Sequence, residues 1–219
     1  MKKIAIFDMD GVLIDSEPLH WDAYRVLMGR LEINIPEEEL NGFVGKTAVV
    51  IWKGVKERYE LKESLEELMQ KKDAVFFESL KAMSLEPMKG VKDLLEELQR
   101  AGIACTIASS SYRNIIDYIL GELELESYFD YVISGDEVRN GKPDPEIFLK
   151  VAERYGVAPM ECVVIEDSHN GVCAAKTAGM NCVGYINQNS GNQDLAKADL
   201  LVDSFDSENI ERIMKLFAQ

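Results

Sequence analysis

The sequence predicts an α/β protein: a doubly wound, mainly parallel sheet with a small all-helical domain inserted into it. Three observations carry this. Short runs rich in Ile and Val recur along the chain, most without the alternation of a half-exposed strand, so they read as strands buried on both faces. Between them lie segments with apolar residues at helical spacing. One stretch, residues 16–84, breaks the alternation with consecutive helical patterns.

The first strand is "KIAIFD" (3–8), which runs into Asp8, Met9, Asp10 and Gly11. An Asp-Gly after a strand also reads as a hairpin turn, and taken alone it leaves both readings open. The insert opens with "SEPLHWDAYRVLMGR", where Ser16 is the expected N-cap and Pro18 sits in the first turn. It continues through "PEEELNGF", "TAVVIWKGVKERY" and "SLEELMQKKDAVFFESLKAM". Strands then alternate with helices: "GVKDLLEELQRAG", "ACTIASS" (104–110), "RNIIDYILGEL", "YVISGD" (131–136), "PEIFLKVAERYG", "CVVIED" (162–167), "NGVCAAKTAG", "NCVGYI" (181–186) and "LLVDSF". Gly102, Gly156 and Gly179 are expected to close three of these helices in the left-handed conformation. The expected domains are residues 1–15 with 85–219, and 16–84. Hinges are expected near 14–17 and 84–89, the second carrying Pro87.

At 219 residues the chain can bury one large core and a satellite. Its formal charge is −15, with no basic tract, which argues against nucleic acid and anionic membrane surfaces as partners. No apolar run reaches the length of a membrane span, and the start does not read as a signal peptide, so a cytoplasmic protein is expected. A monomer is expected as well. Cys105, Cys162, Cys173 and Cys182 show no CxxC spacing and read as buried reduced thiols.

In a doubly wound sheet, ligands bind outside the carboxyl ends of the strands. There the sequence gathers Asp8 and Asp10, Ser109 to Ser111, and Glu166, Asp167 and Ser168, with Lys142 in the loop "NGKPDP". The serines could instead cap the next helix, and Glu166 and Asp167 could favour a helix start. A hairpin at Asp10-Gly11 explains none of the other segments. Carboxylates crowded at one edge repel unless a cation sits among them, and hard oxygen ligands suit Mg²⁺. Two histidines, His20 and His169, are too few and too scattered for zinc. A carboxylate beside Mg²⁺ can attack phosphorus, with Lys142, Ser109 and backbone amides neutralising the phosphoryl oxygens. Asp10 would then be the general acid and base.

On these residues the chain resembles the haloacid dehalogenase-like phosphohydrolases, in the subgroup with a helical cap after the first strand. "FDMDGVLID" resembles the first family motif, "IASSS" the second, "GKPDP" the third and "VIEDSHNG" the fourth. The resemblance implies Asp8 as nucleophile, Asp10 as acid/base, Ser109 and the Ser110 amide as phosphate binders with Lys142, and Asp8, Asp10, Glu166 and Asp167 around Mg²⁺. The substrate it implies is a small phosphorylated metabolite, a sugar phosphate. In "DSEPLH", His20 stands where β-phosphoglucomutase has a histidine linked to cap closure, although phosphatases of the subgroup carry the same string. The mutase's cap arginine is replaced by Ala48, leaving Lys46, Lys71 or Lys72 as substitutes without its bidentate fork. The sequence therefore favours a phosphatase over a phosphomutase. A phospho-accepting receiver module also uses clustered acids and a lysine, but receivers are shorter and have no helical insert. "GKT" (Gly45–Thr47) imitates a P-loop tail, yet Leu40 stands where the earlier glycine is required, and Thr47 reads as a helix cap.

Overall fold

The Ile- and Val-rich runs form a six-stranded sheet in the computed structural model, which describes residues 2–43 and 46–218. In chain order the strands are β1 (Ile4–Phe7), β2 (Ala104–Ala108), β3 (Tyr131–Ile133), β4 (Cys162–Glu166), β5 (Asn181–Tyr185) and β6 (Leu200–Val202). Every pairing is parallel, in the order β3-β2-β1-β4-β5-β6. The four inner strands are buried along nearly their whole length, whereas β3 and β6 at the edges are partly exposed. That is why the inner strands lack alternation: Ile4 and Ile6 face one way, Ala5 and Phe7 the other, and all are fully buried.

The chain divides into two compact units, Met1–Asp15 with Leu85–Gln219, and Ser16–Ser84. The second unit contains α1 (Glu17–Arg30), α2 (Glu37–Asn41), α3 (Ala48–Arg58) and α4 (Leu65–Lys81), with α1 and α3 packed on α4. Leu27, Met28, Trp52, Leu68, Phe76 and Leu80 fill its interior. Ser16 does occupy the N-cap position of α1, but its side chain accepts no helix N–H. Its backbone is αR, not the extended conformation from which a capping hydroxyl turns back. Thr47 and Ser64 do cap: Thr47 Oγ1 accepts from Val50 N at 3.4 Å, and Ser64 forms a reciprocal box with Glu67. Gly45 of "GKT" lies outside the described residues.

Flanking the sheet are α5 (Val91–Arg100), α6 (Arg113–Leu123), α7 (Glu146–Tyr155), α8 (His169–Thr177) and α9 (Ser207–Phe217). Ile147, Phe148 and Val151 of α7 join Val172, Ala174 and Ala175 of α8 over Ile4, Ile6, Cys162 and Val164 of the sheet. Gly102, Gly156 and Gly179 all have positive φ at the helix ends where the sequence calls for it. Among the described residues, no helix is long and apolar enough to cross a membrane. Cys105, Cys162 and Cys182 are buried and free, while Cys173 is only half-buried, a correction to the uniform burial expected.

Candidate active site

Register brings the strand ends together. Phe7 pairs with Ile107 and Ile165, and Ala108 pairs with Ile133, so the residues that follow share one edge of the sheet. The chain passes from β3 on one side of β1 to β4 on the other, which makes the carboxyl ends of β1 and β4 the topological switch point. Asp8 follows β1 there, its N–H donating to Ile165 O at 3.0 Å. Asp8, Glu166 and Asp167 are each buried, and one carboxylate oxygen from each lies within 4.8 Å of the others.

Lys142 is the cation of this cluster. Its Nζ donates to Asp8 Oδ1 at 2.5 Å, Glu166 Oε1 at 2.8 Å and Ala108 O at 3.0 Å, which uses all three ammonium protons. It reaches in from the loop before α7, where the Lys142–Pro143 peptide is cis. Burial pushes the Asp8 carboxyl well above the ordinary carboxylate range; Glu166 and Asp10 push the same way, and Lys142 opposes without cancelling them. Burial would lower the Lys142 pKa, but Asp8 and Glu166 outweigh it and hold it above the usual lysine value. One ammonium among Asp8, Asp10, Glu166 and Asp167 leaves a deficit of positive charge in a buried place. An all-oxygen donor set with that deficit fits a hard divalent cation.

The supporting contacts are specific. Ser168 donates its N–H and its hydroxyl to Glu166 Oε2, each at 2.8 Å, while the same hydroxyl accepts from Gly171 N to cap α8. A Cβ on Gly171 would lie 1.7 Å from Glu166 Oε1, so only glycine leaves room for that carboxylate. Gly11 has φ +77°, and a Cβ there would stand 2.0 Å from Asp167 Oδ2. Asp10, expected among the metal carboxylates, is not in the group of three; its Oδ2 accepts from Ser111 Oγ at 2.7 Å.

Ser109 is fully buried with its Oγ accepting from Ser111 N at 3.0 Å, and Ser110 is exposed. None of these serines caps the next helix, whose N-cap is Tyr112. His20 belongs to the helical unit, where it stacks on Phe76 at 4.0 Å and sits 2.6 Å from Lys72 Nζ through Nδ1. Lys71 pairs with Glu63 at 2.9 Å.

Two contributors escape sequence reasoning. In the loop after β5, Asn187 Nδ2 donates to Gly11 O at 3.2 Å, and Ser190 Oγ donates to Asp167 Oδ2. The segment "NQNSGNQD" has no periodicity, and its only clue is that it follows the carboxyl end of a buried strand.

The family model for haloacid dehalogenase-like hydrolases matches residues 5–185. A phosphorylated carbohydrates phosphatase of Thermotoga maritima is 40% identical over 182 residues, 80% of this chain and 81% of the relative. A fructose-1-phosphate phosphatase of Escherichia coli is 32% identical, covering 81% of this chain and 93% of the relative. The crystal structure of β-phosphoglucomutase from Clostridium difficile superposes with a TM-score of 0.81 at 27% identity, over 100% of this chain and 98% of that one. Its sheet, its ordered strand-end motifs and these relatives agree: the chain belongs to the haloacid dehalogenase-like hydrolase family, as an enzyme of its phosphohydrolase and phosphomutase branch.

Proposed function

We propose that this protein is a Mg²⁺-dependent phosphatase that hydrolyses a small phosphorylated metabolite, a sugar phosphate, through an aspartyl-phosphate on Asp8. The observation that carries the reading is the convergence of Asp8 from the end of β1, Glu166 and Asp167 from the end of β4, and Lys142 from the loop before α7 at one buried point. Asp8, Glu166 and Asp167 would hold the cation, which when bound supplies charge neutralisation for the phosphoryl oxygens. Asp8 Oδ attacks phosphorus, the bond to the sugar oxygen breaks, and Asp10 gives its proton to the departing oxygen. Water then attacks the phosphorus, Asp10 takes its proton, and Asp8 is released with inorganic phosphate. Ser111, bonded to Asp10 Oδ2, holds that carboxyl for both transfers. Ser109, the Ser110 amide and Lys142 bind the phosphoryl oxygens, Lys142 by exchanging its bond to Asp8 for one to the phosphoryl group as Asp8 Oδ attacks. The helical unit acts as a cap whose closure excludes bulk water and selects the leaving group, with His20 contributed from α1.

Water, not a second sugar hydroxyl, is the acceptor in this reading. Ala48 stands where a mutase would need its arginine, and Lys71 and Lys72 are engaged with Glu63 and His20. The phosphorylated carbohydrates phosphatase and the fructose-1-phosphate phosphatase among the relatives support the same choice. The test is incubation with Mg²⁺ and a panel of sugar phosphates, following free phosphate and isomerised sugar phosphate together. Phosphate release is expected, and Asp8→Asn should abolish it. Isomerisation with little phosphate release would replace the phosphatase with a mutase, and an active Asp8→Asn would remove the nucleophile assignment.

A further inference from the structure

The loop after β5 spends several of its hydrogen bonds on the strand-end site. Asn187 and Ser190 are buried polar residues, 7% and 4% exposed. Burying such groups costs free energy unless each finds a partner, so where they spend their hydrogen bonds is informative. Ser190 gives its hydroxyl proton to Asp167 Oδ2. Asn187 gives its amide N–H to Gly11 O, in the turn that carries Asp10, and its Oδ1 accepts from Asn189 N at 2.9 Å. Gln193 of the same loop braces it, donating to Ser190 O at 2.9 Å and accepting from His169 N at the start of α8 at 3.0 Å. One short segment thus ties together the turn after β1, the acid after β4 and the start of α8.

We infer that Ser190 and Asn187 are positioning residues for the cation site: Ser190 fixes the plane of the Asp167 carboxylate, and Asn187 holds the Asp10–Gly11 turn against it. A carboxylate on a rotatable stem can present its oxygens in many directions. Tying Oδ2 to a buried hydroxyl selects one, in which the carboxylate packs against Gly11 in space that a Cβ there would fill. Partners that orient ligands in this way typically change metal affinity by about 10- to 100-fold when removed. The inference rests on the cation site of the proposed function but not on the phosphatase chemistry.

The test is direct Mn²⁺ binding, read by electron paramagnetic resonance on the full chain, for wild type, Ser190→Ala, Ser190→Thr and Asp167→Asn, with thermal unfolding in EDTA alongside. Wild type should bind at the site that Asp167→Asn abolishes. Ser190→Ala should weaken that binding about 10-fold or more while its unfolding temperature in EDTA stays near wild type. Ser190→Thr keeps the hydroxyl and should recover most of the affinity. Wild-type affinity in Ser190→Ala overturns the inference, and so does weakening matched by a fall in unfolding temperature that Ser190→Thr shares. If wild type binds no Mn²⁺ that depends on Asp167, the cation site falls and takes this inference with it. If binding behaves as expected but no sugar phosphate is hydrolysed, the phosphatase reading fails alone.

Discussion

A single missing methyl group decides whether Glu166 can sit where it does. Gly171 lies in α8, where replacing glycine by alanine ordinarily stabilises an exposed helix by about 1 kcal/mol. Here the new Cβ would fall inside the Glu166 carboxylate, whose two oxygens are already committed to Lys142 and Ser168. Gly171→Ala should therefore destabilise the protein, against its helix propensity, as measured by urea unfolding; a gain in stability would mean that Glu166 moves aside at little cost. The thiols permit a second test at this scale. Burial pushes Cys105 and Cys162 up to about 12 and raises Cys182 as well, so all three are protonated and shielded. Cys173 is half-buried, with Lys197 Nζ 3.7 Å from its sulfur. Native protein treated with iodoacetamide at mildly alkaline pH should carry one adduct by mass spectrometry, at Cys173, and denatured protein four, one for each cysteine of the chain.

Among the elements, α4 carries the strongest local start, and its cap can be separated from its packing. Ser64 Oγ accepts from Glu67 N at 3.1 Å, and Glu67 Oε2 accepts from Ser64 N at 2.7 Å. Ser64→Ala should cost about 1 kcal/mol in stability. The Ser64 backbone N–H, and after it the hydroxyl, hold the Glu67 carboxyl below the ordinary glutamate value in the folded protein. A carboxyl lowered on folding stabilises at pH above its unfolded value, and that contribution disappears as pH falls through the folded value. Glu67→Gln should therefore weaken the protein near neutrality, and its deficit should vanish in acid. The same comparison of caps shows what was legible. Thr47 and the helix-closing glycines act through local backbone chemistry, which a sequence carries in full. Ser16 has the right residue type, but its αR backbone is set by the chain path into α1, which no local pattern records. The parallel sheet followed from the alternation of strands with helices, and the burial of its inner strands from their continuous apolar runs; the strand order did not, because no local pattern records it. Asp8, Lys142, Glu166 and Asp167 were legible because strand ends in a parallel sheet must share an edge. Ser190 and Asn187 were not, because their partners lie at Asp167 and Gly11, remote in sequence, and nothing in "NQNSGNQD" specifies that distance.

At the scale of the whole molecule, the insert enters and leaves the α/β unit at nearly one point. Ile14 and Pro87 form an antiparallel bridge, and Met88 N donates to Leu13 O at 2.8 Å. Bridge partners stand about 5 Å apart, a gap that a tight turn closes. The α/β unit also has its own interior, since both faces of β1 are buried and α7 and α8 pack over one of them. Replacing residues 16–84 by a Gly/Ser turn of about four residues should then leave a folded sheet unit. The expected product unfolds cooperatively, retains its far-UV circular dichroism for a six-stranded parallel sheet with helices, and still binds Mn²⁺ through Asp167. Under the proposed function the helical unit selects the leaving group, so turnover on sugar phosphates should fall sharply at the same time. An excised protein that fails to fold would show that the helical insert supplies part of the stability of the sheet unit. One that folds and hydrolyses sugar phosphates at the full rate would deny the insert any part in catalysis and move substrate selection onto the strand-end loops.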